Sequence, residues 1–206
     1  FNHQLSMAIS QKYGLPEIMG RILSSRGVPL EDVESYLSPR LKDIMPDPYF
    51  LKDMEKASRR LAQAIITGER VAVFGDYDVD GATSSALLLK FFKMVGGELI
   101  SYIPDRLREG YGPNIKALRK LKADGINLII TVDCGTLSFE PLKQAKEEGL
   151  EVIVVDHHKA EPSLPDSYAI INPNRLDEDG SLGQLAAVGV SFLLVVAINR
   201  VLREEG

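Results

Sequence analysis

Five short apolar runs recur from residue 71 onward: VAVFG (71–75), ELISYI (98–103), NLIITVD (127–133), EVIVVD (151–156) and YAIINP (168–173). Each is short and rich in β-branched residues, so each reads as a strand. The intervening TSSALLLKFFKMV, IKALRKLKADG and FEPLKQAKEEG place apolar residues at helical spacing and are long enough to cross back over a sheet. Strand and helix in alternation predict an α/β fold, with a doubly wound, mainly parallel sheet and flanking helices on both faces. The longest apolar stretch, LAAVGVSFLLVVAI (185–198), is interrupted by Gly189 and Ser191. It is shorter than the roughly 20 residues a bilayer crossing requires, and reads as a buried helix.

Upstream the pattern is different. SSRGVPLEDVESYL, the proline-rich MPDPYFL and DMEKASRRLAQAII carry helical periodicity broken by proline and glycine. Residues 1–68 are therefore expected to form a helical N-terminal lead-in, and residues 69–206 the sheet domain.

Three of the strands run directly into chemistry. VAVFG leads to Asp76, Asp78 and Asp80, NLIITV to Asp133, and EVIVV to Asp156 followed by His157 and His158. Ligands of open α/β sheets sit outside the carboxyl ends of the strands, so these side chains are expected at one rim. A single aspartate there is ordinarily a turn or capping residue. Five carboxylates and two imidazoles are not explained that way. Alternate residues of an extended segment lie about 6–7 Å apart, and such carboxylates repel by roughly 2–3 kcal/mol per pair at an effective dielectric of about 20.

Bound cations offset that repulsion. Carboxylate oxygen with some imidazole nitrogen suits Mn2+ or Mg2+ better than Ca2+ or a structural zinc. Two such ions clamp a phosphoryl group and activate water, which points to phosphoester hydrolysis. Asp156 is placed to accept the second N–H of a ligating histidine, leaving His158 to face substrate.

The formal charge of −5 disfavours a uniformly basic surface, but two divalent cations would nearly cancel it, so a nucleic-acid substrate is compatible. GATSS opens a helix whose N-terminus, with Ser84, is a candidate phosphate contact. In the loop IPDRLREGYGPN (103–114), Arg106 and Arg108 are candidates for phosphate pairing and Tyr111 for stacking on a base. Gly110 and Gly112 would allow close approach of a strand. Lys159 and Arg175 would extend a positive track. The lone Cys134 has no helper histidine at diagnostic spacing and reads as a small buried thiol. With one cysteine and no basic-then-apolar opening, a cytoplasmic location without a membrane association is expected.

GDYDVDG, the TVDCG step, DHH and LAAVGVSF, in that order, resemble the DHH phosphoesterase superfamily, and IPDRLREGYGPN is similar to the loop typical of its RecJ branch. The resemblance runs from about Leu51 to the C-terminus, with LSPRLKDIMPDPYFLKDM similar to the segment before the first motif. It implies a 5′-to-3′ exonuclease of single-stranded DNA acting in recombination and repair. Mn2+ or Mg2+ would serve as cofactor, with two ions in the complete protein, and a single-strand-binding protein and a helicase as partners. It also implies metal ligands at Asp78 and Asp80 with Asp76 alongside, a bridging ligand at Asp133, and a further ligand at His157. His158 would contact the scissile phosphate or leaving oxygen, and Asp156 would orient the histidines. The family's last aspartate ligand and its DHH-associated domain fall beyond Gly206, so the chain is expected to be a fragment of low activity.

Three alternatives stand beside this reading. DHH proteins also act on small substrates such as oligonucleotides, cyclic dinucleotides and pyrophosphate, and some DHH folds are non-catalytic replication scaffolds. DVDGAT also resembles the start of haloacid-dehalogenase phosphatases, where Asp78 would be a covalent nucleophile, though that leaves Asp76 and DHH without a role.

Overall fold

The computed structural model describes residues 2–205. The chain divides into two compact units, residues 1–47 and 48–206. The first contains α1 (His3–Tyr13), α2 (Glu17–Ser25), α3 (Val33–Leu37) and α4 (Leu41–Ile44). Asn2 caps α1 by accepting the N–H of Leu5, and Gly14 ends it at φ +63. Ile9, Leu23, Val28 and Val33 form a small core of their own.

The second unit opens with a 3-10 turn (Pro48–Phe50) and continues α5 (Met54–Thr67), β1 (Val71–Gly75), α6 (Val79–Met94), β2 (Leu99–Tyr102), α7 (Arg106–Glu109), α8 (Ile115–Ala123), β3 (Leu128–Val132), α9 (Phe139–Glu147), β4 (Glu151–Val155), β5 (Ala169–Ile171) and α10 (Ala187–Glu205). Part of the expected lead-in, 1–68, packs with the sheet: the second unit begins at residue 48. The reason is α5. Its stripe of Met54, Ala57, Leu61, Ala64 and Ile65 recurs every three or four residues and is buried in the core of the sheet unit.

All five strands are parallel, in the order β2-β1-β3-β4-β5. Alternate residues feed two cores. Val71, Val73, Leu128, Ile130, Val132, Ile153 and Val155 pack with α5, α6 and α10, whereas Ala72, Phe74, Ile129, Val152 and Val154 pack with α8 and α9. That two-sided burial is why the strands read as continuous apolar runs.

Sequence order reverses direction between β1 and β3, which makes that junction the switch point where such sheets hold their ligands. The loop 103–114 contains one unexpected turn of helix, α7. Asp105 accepts the N–H groups of Leu107 and Arg108, and Glu109 accepts the N–H of Asp105.

Candidate metal centre

At the switch point β1 stops at Gly75 and the chain turns into α6. Asp76 lies in the turn, only 4% exposed, and its carboxylate accepts the N–H of Tyr77 at 2.8 Å. Asp78 is the N-cap of α6, accepting from Asp80 N–H at 3.0 Å and Gly81 N–H at 3.1 Å. Asp80 sits in the first helical turn. The three aspartates therefore do not alternate along an extended strand, as their spacing suggested, because capping draws Asp78 and Asp80 onto the start of a helix. Gly81 makes this turn possible: a Cβ there would lie 2.4 Å from the backbone oxygen of Asp76 and 2.6 Å from its nitrogen.

Beyond β3, Asp133 adopts φ +61, a left-handed conformation uncommon outside glycine, and its N–H bonds to Val155 O at 3.0 Å. Its side chain is 2% exposed. Beyond β4, Asp156 is 1% exposed and accepts from four directions. Its Oδ1 takes the N–H groups of His157 at 2.7 Å and His158 at 3.2 Å and lies 2.7 Å from His158 Nδ1, while Oδ2 takes Thr136 N–H at 3.0 Å. The histidine ring oriented by Asp156 is thus His158. The ring of His157 points elsewhere, with Nε2 3.2 Å from Asp133 Oδ1 and 3.9 Å from Asp80 Oδ2.

One donor atom each from Asp76, Asp78 and Asp133 lie within 4.8 Å of one another, and so do one each from Asp133, His157 and His158. Asp133 belongs to both groups. Electrostatics mark the same place. Burial, and then the neighbouring Asp78, push the Asp133 carboxyl up to about 7. Asp78 is held below the usual range, chiefly by the Gly81 N–H. Asp76 is raised by burial.

Asp156 is held down to about 2. Burial raises it, but hydrogen bonds from His158 and Thr136 prevail. His158 is raised in turn by its bond to Asp156. Because that carboxylate oxygen can only accept, Nδ1 is the donor in the pair and Nε2 is not engaged by Asp156.

These residues fit divalent cations. Among the described residues Asp133 Oδ1 is buried with no hydrogen-bond partner although an imidazole nitrogen stands 3.2 Å away. A buried acceptor left orphaned between two further carboxylates is what an oxygen-preferring ion would satisfy.

The surrounding expectations divide. Arg106 lies over the Tyr77 ring at 4.6 Å, beside the turn that carries Asp76. Tyr111 is 56% exposed, donates its hydroxyl to Asp133 O at 3.0 Å, and meets the His158 ring edge-on at 6.3 Å. Gly112 is buried with φ +76, near Ser138 and Cys134, so backbone conformation rather than strand approach accounts for glycine.

Ser84 is a correction. It is fully buried inside α6 and cannot reach a substrate, because the helix starts five residues earlier and its capping is done by Asp78. Arg175 is another. Its side chain is 8% exposed and tied to Asp53 and Asp177, so it is no part of a positive track. Cys134 is buried, as read from the sequence.

Thr136, Asn172 and Asn174 escaped the sequence reading. The trace of the two asparagines in the sequence is NPN (172–174), which reads as the end of the YAIINP run turning into a loop.

A parallel sheet with carboxylates and paired histidines gathered at its switch point defines a class, and the chain belongs to it: residues 70–205 match the DHH family, N-terminal domain. Within that family it is similar to the single-stranded-DNA-specific exonuclease RecJ of Bacillus subtilis, at 38% identity over 96% of this chain and 25% of that protein. Two solved structures are also similar. One, the exonuclease RecJ bound to manganese, is 35% identical with a TM-score of 0.67, covering 74% of this chain and 38% of the other. The second, RecJ in complex with Mn2+ from Thermus thermophilus, is 25% identical with a TM-score of 0.77, covering 98% and 28%. The chain thus spans about a quarter of the length of the B. subtilis relative it matches.

Proposed function

We propose that the chain is the metal-binding part of an exonuclease that degrades single-stranded DNA and depends on Mn2+ or Mg2+. The observation that carries this is the convergence of Asp76, Asp78, Asp133 and His157 around a buried, unpartnered carboxylate oxygen, in a chain similar to RecJ exonucleases. Asp78, Asp133 and Asp76, with Asp80 and His157, would hold the ions, Asp133 serving both groups. When bound, divalent ions supply charge neutralisation at a phosphodiester and lower the pKa of water. The chain's own residues supply the rest. Asp156 fixes the His158 ring so that Nε2 can meet a phosphate oxygen or the leaving oxygen. Arg106, stacked on Tyr77, adds a cation beside the acidic turn.

The proposal extends to a 5′-to-3′ direction, a role in recombination and repair and association with a single-strand-binding protein and a helicase, as the motif resemblance implies, and to a cytoplasmic location, as the single cysteine suggests. Among the described residues no helix is long and apolar enough to cross a membrane.

The test uses the intact protein with single-stranded oligonucleotides labelled at either end, with Mn2+, Mg2+ or EDTA. Metal-dependent stepwise loss from the 5′ end, and none from a blunt duplex, is expected. Turnover confined to pyrophosphate or cyclic dinucleotides would replace this reading with the small-substrate one. An absence of metal binding would favour a scaffold.

A further inference from the structure

β4 leaves the sheet at Val155, whose partner is Ile171, so the backbone carbonyls of His157 and His158 lie beyond the ladder. An exposed loop would leave such groups to water. Here two asparagine side chains take them. Asn172, fully buried at the end of β5, donates from Nδ2 to His158 O at 2.8 Å and to Thr136 Oγ1 at 2.9 Å, and its Oδ1 accepts the N–H of Asn174 at 2.8 Å. Asn174 donates from its own Nδ2 to His157 O at 2.5 Å and to Gly183 O at 3.4 Å. On the opposite side Asp156 accepts the N–H groups of both histidines. The His157–His158 backbone is therefore gripped on its N–H groups by one carboxylate and on its C=O groups by two amides.

The polarity of the grip is specific. Both hydrogens of the Asn172 amide are used, each on an acceptor, so an aspartate of the same shape would present a bare oxygen where Nδ2 makes two donations. Thr136 links the two sides: its hydroxyl accepts from Asn172, and its N–H donates to Asp156, which holds the His158 ring.

Resting on the functional reading above, we propose that Asn172 and Asn174 are positioning residues for the metal centre: their amides fix the His157–His158 backbone, and so set how the His157 imidazole meets the ion and where His158 faces. Groups that orient a ligand from behind typically change metal affinity or activity by about 10–100-fold when replaced.

The experiment uses the intact protein and Mn2+ alone as probe. Affinity is measured by calorimetry, and imidazole coordination by the 14N hyperfine coupling in pulsed EPR. Circular dichroism and urea unfolding are recorded alongside. Asn172→Asp and Asn174→Ala are expected to weaken Mn2+ binding by about 10–100-fold and to shift or abolish the 14N coupling. With saturating Mn2+, kcat per folded molecule, with the folded fraction fixed by circular dichroism, should fall while KM for oligonucleotide changes little; the altered 14N coupling in folded protein is the readout that a general loss of structure would not give.

If Asn172→Asp does not fold, Asn174→Ala, at a partly buried position, decides alone through His157. Folded variants with unchanged Mn2+ affinity and 14N coupling would overturn the positioning role and leave the functional reading intact. A native protein that binds Mn2+ without any imidazole coupling, or does not bind it, would overturn the reading itself.

Discussion

Asp133 has to satisfy conflicting demands whenever its site lacks cations: it is buried, crowded by Asp78, and held at a positive φ. Burial, and then Asp78, push its carboxyl up to about 7 in the folded chain against 3.8 for the ordinary group. Between those values the folded state binds the extra proton, so this group's contribution to stability falls as pH rises from about 4 to 7 and is level outside that window. In EDTA, Asp133→Asn should flatten that component of the urea-unfolding profile while abolishing Mn2+ binding and cleavage. Asparagine keeps the left-handed backbone accessible, whereas alanine would add strain to the loss of charge. At Tyr111 the ring and the hydroxyl do separate things. Tyr111→Ala is expected to weaken binding to single strands by about 1–3 kcal/mol if bases stack there. Tyr111→Phe should keep that affinity and lower the rate only, through the lost bond to Asp133 O; filter binding and single-turnover kinetics distinguish the two.

At the scale of elements, β5 shows how an edge strand is closed. Its outward groups, the N–H and C=O of Ile170, are taken by the Asp53 carboxylate at 3.0 Å and the Arg175 guanidinium at 2.6 Å, and these two side chains pair with each other at 2.9 Å. The pair stands where another strand would add. Arg175→Ala should cost about 1–3 kcal/mol by leaving a carbonyl and a carboxylate without their partner, read as a lower urea midpoint. β1, β3, β4 and β5 were legible because burial on both faces writes continuous apolar runs, whereas the edge strand β2 is only partly buried, and each expected run contains its observed strand. The placement of α5 was not, since an amphipathic stripe declares that a face is buried without saying against what. The fate of Asp78 and Ser84 was likewise hidden: period alone does not reveal where a helix begins, and a shift of a few residues moves a serine from mouth to interior. Asp133 and the histidines were legible because strand ends fix direction. The asparagines behind them were not, because uncharged amides that bond to backbone groups and a hydroxyl leave no charge pattern.

For the molecule as a whole, the acidic rim is assembled from the ends of β1, β3 and β4, neighbours in space whose pairing joins Val71 to Leu128 and Leu128 to Glu151. Saturation with Mn2+ at about a hundred times its Kd would stabilise the folded chain by about 2.7 kcal/mol. Because the donors come from remote stretches, none of that gain is available to a chain whose central strands have not yet met. Mn2+ should therefore slow unfolding by about the full hundredfold and leave the refolding rate nearly unchanged, as stopped-flow chevrons with and without the ion would show. The ion then acts as a latch rather than a template. A cell short of manganese would accumulate properly folded but idle protein, ready to be charged on the spot, instead of misfolded chains bound for proteolysis.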